Sequence, residues 1–344
     1  MTSSTLQQAI RRLAFGESLA EDDSAEAFGT IMRGEATPAQ VAALLMGLRV
    51  KGETAQEVAG AARAMRQAMV RLSASDPAAL VDTCGTGGGT VTTFNISTAA
   101  ALLAAGLGVR VAKHGNRSFT SQCGSADVLE AMGVPLDAAP AVMERSLHDA
   151  GIVFMFAPSM HPAMRHVGPV RRELAVPTVM NIVGPLANPA MAGRQVLGVA
   201  EVRRIPLLAG ALAALGTTHA LVVHGEPGMD EFSPLGPTRV VEVRAGTTRE
   251  WEVKPSDFGY PAFDPAALAG GGPADNARIV RDVLGGQGTP AATAAVVLNA
   301  AAALYVSGQV SDYAEGVARA KQGVRDAVGL DALERLRRAY APEP

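Results

Sequence analysis

The sequence changes its local punctuation once, after Asp76-Pro77, and that change limits the folds open to it. Residues 1–72 carry helix signals and no strand signal. Ser4 with Gln7, Asp23 with Glu26, Thr37 with Gln40 and Thr54 with Glu57 all have the spacing of a reciprocal N-terminal cap. Pro38 stands where a missing N–H costs nothing, and Gly52 is placed to stop the helix whose apolar stripe is Val41, Leu44, Leu45 and Leu48. From residue 79 the text becomes strand, polar loop, helix, strand, polar loop, helix. Residues 79–82 read as a strand, 97–107 as a helix stopped by Gly108, 109–112 as a second strand, and a further helix starts near Ser125. Strands so interleaved with helices pair in parallel through crossovers. Residues 152–156, 195–199 and 219–223 read as further strands, 238–243 with 249–253 as a polar hairpin, and the chain closes in helices from about Pro290. Residues 264–276, rich in Gly, Ala and Pro, read as the loosest segment.

The expected fold class is therefore α/β: a small N-terminal all-helical domain plus a large α/β domain with a mainly parallel central sheet flanked by helices. The 344 residues suffice for two such units. We place the helical domain at 1–75, joined by part of 165–190, and the α/β domain at 76–344.

Composition narrows the function. Thirty basic against 33 acidic residues leave a net charge of -3, with no footprint for nucleic acid or anionic lipid. Aromatic residues are only 4%, too few for base-stacking platforms. Two cysteines make no disulfide framework, and no CxxC or His/Cys cluster suggests zinc. The N-terminus lacks a basic, then apolar, leader, and the longest apolar run, 294–306, is too short to span a bilayer and contains Asn299. The expectation is a cytoplasmic protein without membrane or nucleic-acid partners.

Three polar segments carry the chemistry. The first is Asp82-Thr83-Cys84-Gly85-Thr86-Gly87-Gly88-Gly89, running to Thr93, Asn95, Ser97 and Thr98 at the start of a helix. Glycines let backbone N–H groups approach an anion, and the helix N-terminus adds its positive end. Neither the dinucleotide nor the Walker spacing is present. The second is Lys113-His114-Gly115-Asn116-Arg117-Ser118, with Thr120, Ser121 and Ser125 close behind. If the two preceding strands are parallel, both loops open on one edge of the sheet, where α/β proteins bind ligands. Two anion-ready loops side by side fit a substrate with two phosphate groups. The third is His224-Gly225-Glu226-Pro227-Gly228-Met229-Asp230-Glu231, after the strand ending at Val223. Neighbouring carboxylates on a loop are poor acid–base partners and good Mg²⁺ ligands. Cys84 and Cys123 have no activating base nearby in sequence and read as small buried residues.

These segments, with Gly124 to Glu130, His161-Pro162-Ala163-Met164, Gly184-Pro185-Leu186 and Asn188-Pro189-Ala190, resemble the anthranilate phosphoribosyltransferase family in order and spacing over 5–335. The resemblance implies a nucleoside-phosphorylase-like fold, a homodimer joined through the helical domains, and a place in tryptophan biosynthesis. It implies that phosphoribosyl pyrophosphate is held by Gly85, Gly88, Gly89, Thr93, Asn95, Ser97, Thr98, Lys113 to Ser121 (Arg117 and Ser118 included) and Ser125. It implies Mg²⁺ on Ser97, Asp230 and Glu231, and anthranilate on Gly85, His114, Asn116 and Arg171. Which loop takes the 5′-phosphate stays open. Two departures stand out. The family motif GTGGD here ends in Gly89, and Arg-Thr-x-Phe-Asn here reads Pro177-Thr178-Val179-Met180-Asn181.

The implied reaction is attack of the anthranilate amine on ribose C1 with departure of pyrophosphate. A neutral aromatic amine is a nucleophile without a strong base, so no acid–base dyad is required. The alternatives are a phosphoribosyltransferase for another aromatic amine, a nucleoside phosphorylase of the same fold, and an inactive paralogue that binds nucleic acid or protein. The Asp230-Glu231 pair speaks against phosphorolysis, and the net charge of -3 against nucleic acid.

Overall fold

The computed structural model describes residues 5–118 and 122–341. Four helices come first: α1 (Thr5–Ala14), α2 (Glu21–Met32), α3 (Pro38–Lys51) and α4 (Ala55–Ala68). The reciprocal caps at Thr37/Gln40 and Thr54/Glu57 are both formed. The pair Asp23/Glu26 is not a cap: α2 begins at Glu21 with Ala20 at its N-cap, so Asp23 is one of three acidic residues in the first turn, where the helix dipole favours them. Ser4 lies outside the described residues.

The remaining chain alternates strands and helices: β1 (Val81–Gly85), α5 (Ile96–Gly106), β2 (Val111–Gly115), α6 (Ser125–Ala131), α7 (Pro140–Asp149) and β3 (Ile152–Phe156). Three short helices follow, α8 (Ala157–Met160), α9 (Gly168–Leu174) and α10 (Met180–Val183). Then come β4 (Arg194–Gly198), α11 (Ile205–Ala214), β5 (His219–Gly225), β6 (Thr238–Arg244) and β7 (Thr247–Val253). The chain ends in α12 (Pro273–Leu284), α13 (Pro290–Ser307), α14 (Tyr313–Arg325) and α15 (Val328–Tyr340). The first two strands lie two to three residues later than the apolar runs suggest. Pro77–Ala79 is a 3₁₀ turn, and β1 and β2 carry on into polar Asp82-Thr83 and Lys113-His114. The segment 264–276 is also more ordered than its composition suggests, since Pro265–Leu268 is a 3₁₀ turn and α12 starts at Pro273.

The seven strands form one sheet in the order β3-β2-β1-β4-β5-β6-β7. The first five are parallel, and β6 and β7 add an antiparallel hairpin at one edge. Both faces are covered. Helices α5, α12, α13, α14 and α15 pack on one side around Leu103, Val297 and Phe232. On the other side α11, α1–α4 and the 167–187 connection share a second core that includes Phe28, Leu45, Val183 and Leu212. Helix α13 is long and apolar enough to span a membrane by composition, but it lies buried against the sheet, and its Asn299 bonds both backbone groups of Phe232. The other edge strand, β3, is closed by the last helix: the Tyr340 hydroxyl accepts from Phe154 N–H at 3.1 Å and donates to Phe154 C=O at 2.6 Å.

Strand order reverses between β1 and β4, which creates the crevice where such sheets bind ligands. There Gly85 stands opposite Gly198 in register. A Cβ on Gly85 would strike the Asp230 carboxylate, and one on Gly198 the Asp230 backbone carbonyl. The two glycines leave the space that Asp230 fills. Gly85→Ala should therefore push Asp230 aside and lower unfolding stability by about 1–3 kcal/mol, the usual cost of overpacking. Urea denaturation of the variant beside the parent measures it.

Candidate active site

Two consecutive residues of β2 divide the site, because neighbours on a strand point to opposite faces. Lys113 turns toward α5. Its ammonium donates to the Thr83 carbonyl and lies 3.4 Å from both Thr83 Oγ1 and Ser97 Oγ. It is only 3% exposed, so it forms the floor of the site rather than an arm of the loop. Burial lowers its pKa, against the attraction of Asp82, Cys84 and Glu231. His114 turns to the other face, where its ring lies 5.0 Å from that of His161.

On the Lys113 side the carboxylates meet the glycine loop and α5. Asp230 Oδ2 accepts from Gly87 N–H at 2.8 Å, and Glu231 Oε1 from Ser97 N–H at 3.1 Å at the start of α5. Both acids are half-buried, and burial raises both pKa values; for Glu231 the neighbouring Asp230 charge raises it further. Gly87 and Gly88 have φ of 68° and 81°, the left-handed values that glycine alone adopts without strain. Gly88, Gly89 and the half-buried Thr93 line the rim. Thr98 is buried, and its Oγ1 has no partner among the described residues. Asn95 does not offer its amide to the rim: Nδ2 donates to the Cys123 carbonyl and Oδ1 accepts from Asn276.

The second loop is organised by Asp127, which sequence reasoning did not single out. Its Oδ2 accepts from Ser118 N–H and Gly124 N–H, and Oδ1 pairs with Arg117 at 2.8 Å. Arg117 also pairs with Glu130, so its guanidinium is already engaged, at the exposed rim. Asn116 is exposed, and its carbonyl receives Ser125 Oγ and Ala126 N–H. Ser121 lies outside the described residues.

On the His114 side sit two groups, Asp82 and Asn188, that the motifs contain and to which the sequence reading gave no role. Asp82, fully buried in β1, accepts from Asn188 Nδ2 at 2.8 Å and from His114 N–H at 3.2 Å. Burial pushes its pKa up to about 6, against these hydrogen bonds. An acidic residue inside an apolar strand was the signal available for it. Asn188 also donates to the Ala112 carbonyl, so β1, β2 and the turn at 188 are tied together. Arg171 stands half-buried on α9, with no side-chain partner among the described residues, and burial lowers its pKa. Both thiols are pushed up by burial, so neither is a ready nucleophile.

The geometry is two-sided about β2: half-buried carboxylates, amide donors and an ammonium on one side and two buried imidazoles on the other. Known proteins match this chain along nearly its full length. Residues 77–327 match the Glycosyl transferase family, a/b domain, and residues 7–69 its helical bundle domain. The anthranilate phosphoribosyltransferase of Rubrobacter xylanophilus is 50% identical over 331 residues, covering 96% of each chain. That of Anaeromyxobacter sp. (strain K) is 51% identical over 332 residues, 96% of this chain and 97% of its own. The crystal structure of the Thermus thermophilus anthranilate phosphoribosyltransferase superposes with a TM-score of 0.91 at 43% identity, covering 96% of this chain and 99% of that one. A Saccharomyces cerevisiae anthranilate phosphoribosyltransferase in complex with PRPP and Mg gives 0.88 at 27% identity, covering 98% of each. With its cleft, its two matched domains and half of its residues shared along nearly the full length, this chain belongs to the anthranilate phosphoribosyltransferase family.

Proposed function

We propose that this chain transfers the 5-phosphoribosyl group from phosphoribosyl pyrophosphate to the amine of anthranilate, giving N-(5-phosphoribosyl)anthranilate and pyrophosphate, in the cytoplasm and within tryptophan biosynthesis. The observation that carries the reading is the Asp230–Glu231 pair, held by the N–H groups of Gly87 and Ser97 at the β1/β4 crevice. The donor lies on the Lys113 side, over the glycine loop, Thr93, Ser97 and Thr98, with Ser118, Ser125 and Arg117 at the second loop. Arg117 takes a phosphate only by sharing or leaving its two carboxylates. Anthranilate lies on the other side against Gly85, His114, Asn116 and Arg171, whose planar fork suits one carboxylate.

The chain supports Mg²⁺ here by its donor set. Two neighbouring carboxylates and the Ser97 hydroxyl are hard oxygens, and burial makes their paired charge costly unless a cation joins them. A Mg²⁺ held by Asp230, Glu231 and Ser97 would supply charge neutralisation for the leaving pyrophosphate. Lys113 stabilises the same charge from below, and the amides of the glycine loop orient the diphosphate. The amine lone pair forms the N–C1 bond as the C1–O bond breaks, and its electron pair leaves with pyrophosphate. Arg171 and Asn116 hold the amine in line, which turns a bimolecular step into a positional one.

We also take 1–75 with part of 165–190 as one unit and 76–344 as the other, supported by the core that α1–α4 share with Val167, Val179 and Val183. A homodimer through the helical unit is supported by its surface. Ile10, Ala39 and Ala43 line a groove between α1 and α3, and Phe15 and Val50 are 84% and 81% exposed, an apolar display typical of an interface.

Mixing the protein with phosphoribosyl pyrophosphate, Mg²⁺ and a panel of aromatic amines tests the activity. Anthranilate should lose its fluorescence as pyrophosphate appears, and the Asp230→Asn, Glu231→Gln double variant should fold and fail to turn over. Turnover of another amine in place of anthranilate, or near-parental turnover of the double variant, would reject the assignment. Arg171→Ala should raise the anthranilate KM about 10- to 100-fold, the worth of a charge-assisted contact, and leave the donor KM nearly unchanged. Equal effects on both substrates would mark a structural arginine.

Gly89 yields the last expectation of the known reaction. Its φ lies outside the left-handed region, unlike Gly87 and Gly88. A Cβ there would stand 2.9 Å from the Gly228 carbonyl and 3.6 Å from Asp230 Oδ1. An aspartate would thus crowd the Gly228 turn and add a third carboxylate beside Asp230. Gly89→Asp should cost about 1–3 kcal/mol of stability by overpacking and make the rate depend more steeply on Mg²⁺ concentration. A folded variant whose Mg²⁺ titration overlays the parent's would make Gly89 a matter of space alone.

A further inference from the structure

Two buried imidazoles face each other on the acceptor side, and Nε2 of each, His114 and His161, has no hydrogen-bond partner among the described residues. Buried polar atoms without partners are rare and costly, and they mark places where a ligand completes the bonding. His161 is 6% exposed. It ends α8 and stands ten residues before Arg171 along the same helical connection. The nearby Ala187 carbonyl raises its pKa against burial; since Nε2 has no partner among the described residues, that carbonyl faces Nδ1. An N–H on Nδ1 leaves the lone pair on Nε2. No side-chain hydrogen bond fixes the tautomer of His114 in this way. Among the described residues the titratable side chain packed against His161 is His114, which burial also keeps neutral.

The reaction produces one proton that the site described above does not receive. As the amine nitrogen bonds to C1, it becomes an N-aryl ammonium and must lose an N–H. Resting on the functional reading above, we propose that His161 is a catalytic residue whose Nε2 accepts this proton. The N–C1 bond forms, the C1–O bond breaks with its pair on pyrophosphate, the N–H pair stays on nitrogen, and the proton passes to Nε2. The imidazolium returns it to water after product leaves. Burial pushes the ring's pKa down to about 4. So weak a base rests neutral, with Nε2 free to accept, and does not retain the proton.

His161→Asn tests this, because an Asn amide can keep an N–H toward Ala187 while Nε2 is deleted. We expect kcat to fall about 100-fold, within the usual range for a general base, with the donor KM within twofold of the parent. In His161→Ala, added imidazole should restore turnover, and the restored rate should rise with basicity across methylimidazoles of equal size. In the parent, nitrogen NMR of the six histidines should show one neutral ring with unprotonated Nε2 whose signal shifts when anthranilate binds. An Asn variant within threefold of parental kcat overturns the proposal. So does rescue indifferent to basicity, or an Nε2 signal that anthranilate leaves in place, which decides the matter even if the variants do not fold. A folded parent that leaves anthranilate unconsumed overturns the functional reading and this proposal with it.

Discussion

Everything at the cleft depends on the fit of Asp230 against two glycines in register. The parallel pairing of β1 with β4 sets Gly85 opposite Gly198, and the absence of both side chains admits the Asp230 backbone and carboxylate. Once there, Asp230 bonds the Gly87 amide, which arranges the glycine loop, and Glu231 follows onto the first amide of Ser97. A turn from one strand, a loop from another and a helix end from a third segment are thereby positioned by one steric allowance. Shift the register by one residue and the pair of carboxylates leaves the crevice.

The second constraint is the period of two in β2. Lys113 and His114 are adjacent, yet one ends among the oxygens of Thr83 and Ser97 and the other against His161. Because the pleat separates them, a short motif supplies both sides of the strand without its two side chains meeting. Asp82 stabilises the arrangement from beneath, bonding the His114 amide and the Asn188 side chain at once. A buried carboxylate with several donors is worth keeping only while all of them stay in place, so the three segments it joins are held together.

Much of this was legible in the sequence, for identifiable reasons. Reciprocal caps at Thr37 and Thr54 are local, and local geometry is written in neighbouring residues. The hairpin, β3 and the start of α13 carried plain signals of alternation, apolar runs and Pro290 at a helix start. The loops were visible through their glycines and paired acids. What could not be read was long-range. Hydropathy ended β1 and β2 too early, because their polar residues are buried by contacts from other segments, such as Asn188 on Asp82 and His161 on His114. Asp23 looked like a cap because three-residue spacing does not reveal where a helix begins. Lys113 looked like a loop residue because its burial comes from the sheet. His161 sits in a motif with no outward sign that its ring lies against His114.

The bond from Tyr340 to Phe154 has a consequence for how the molecule behaves in company. Strand β3 is the edge of the parallel half of the sheet, and an open edge is a template on which another chain can add a strand. One phenol occupies both the donor and the acceptor of Phe154, in the middle of that edge. Helix α15 therefore covers this edge against pairing with another strand. A molecule trimmed of its final turns would keep its substrate loops, but it would present a sticky strand to every neighbouring copy.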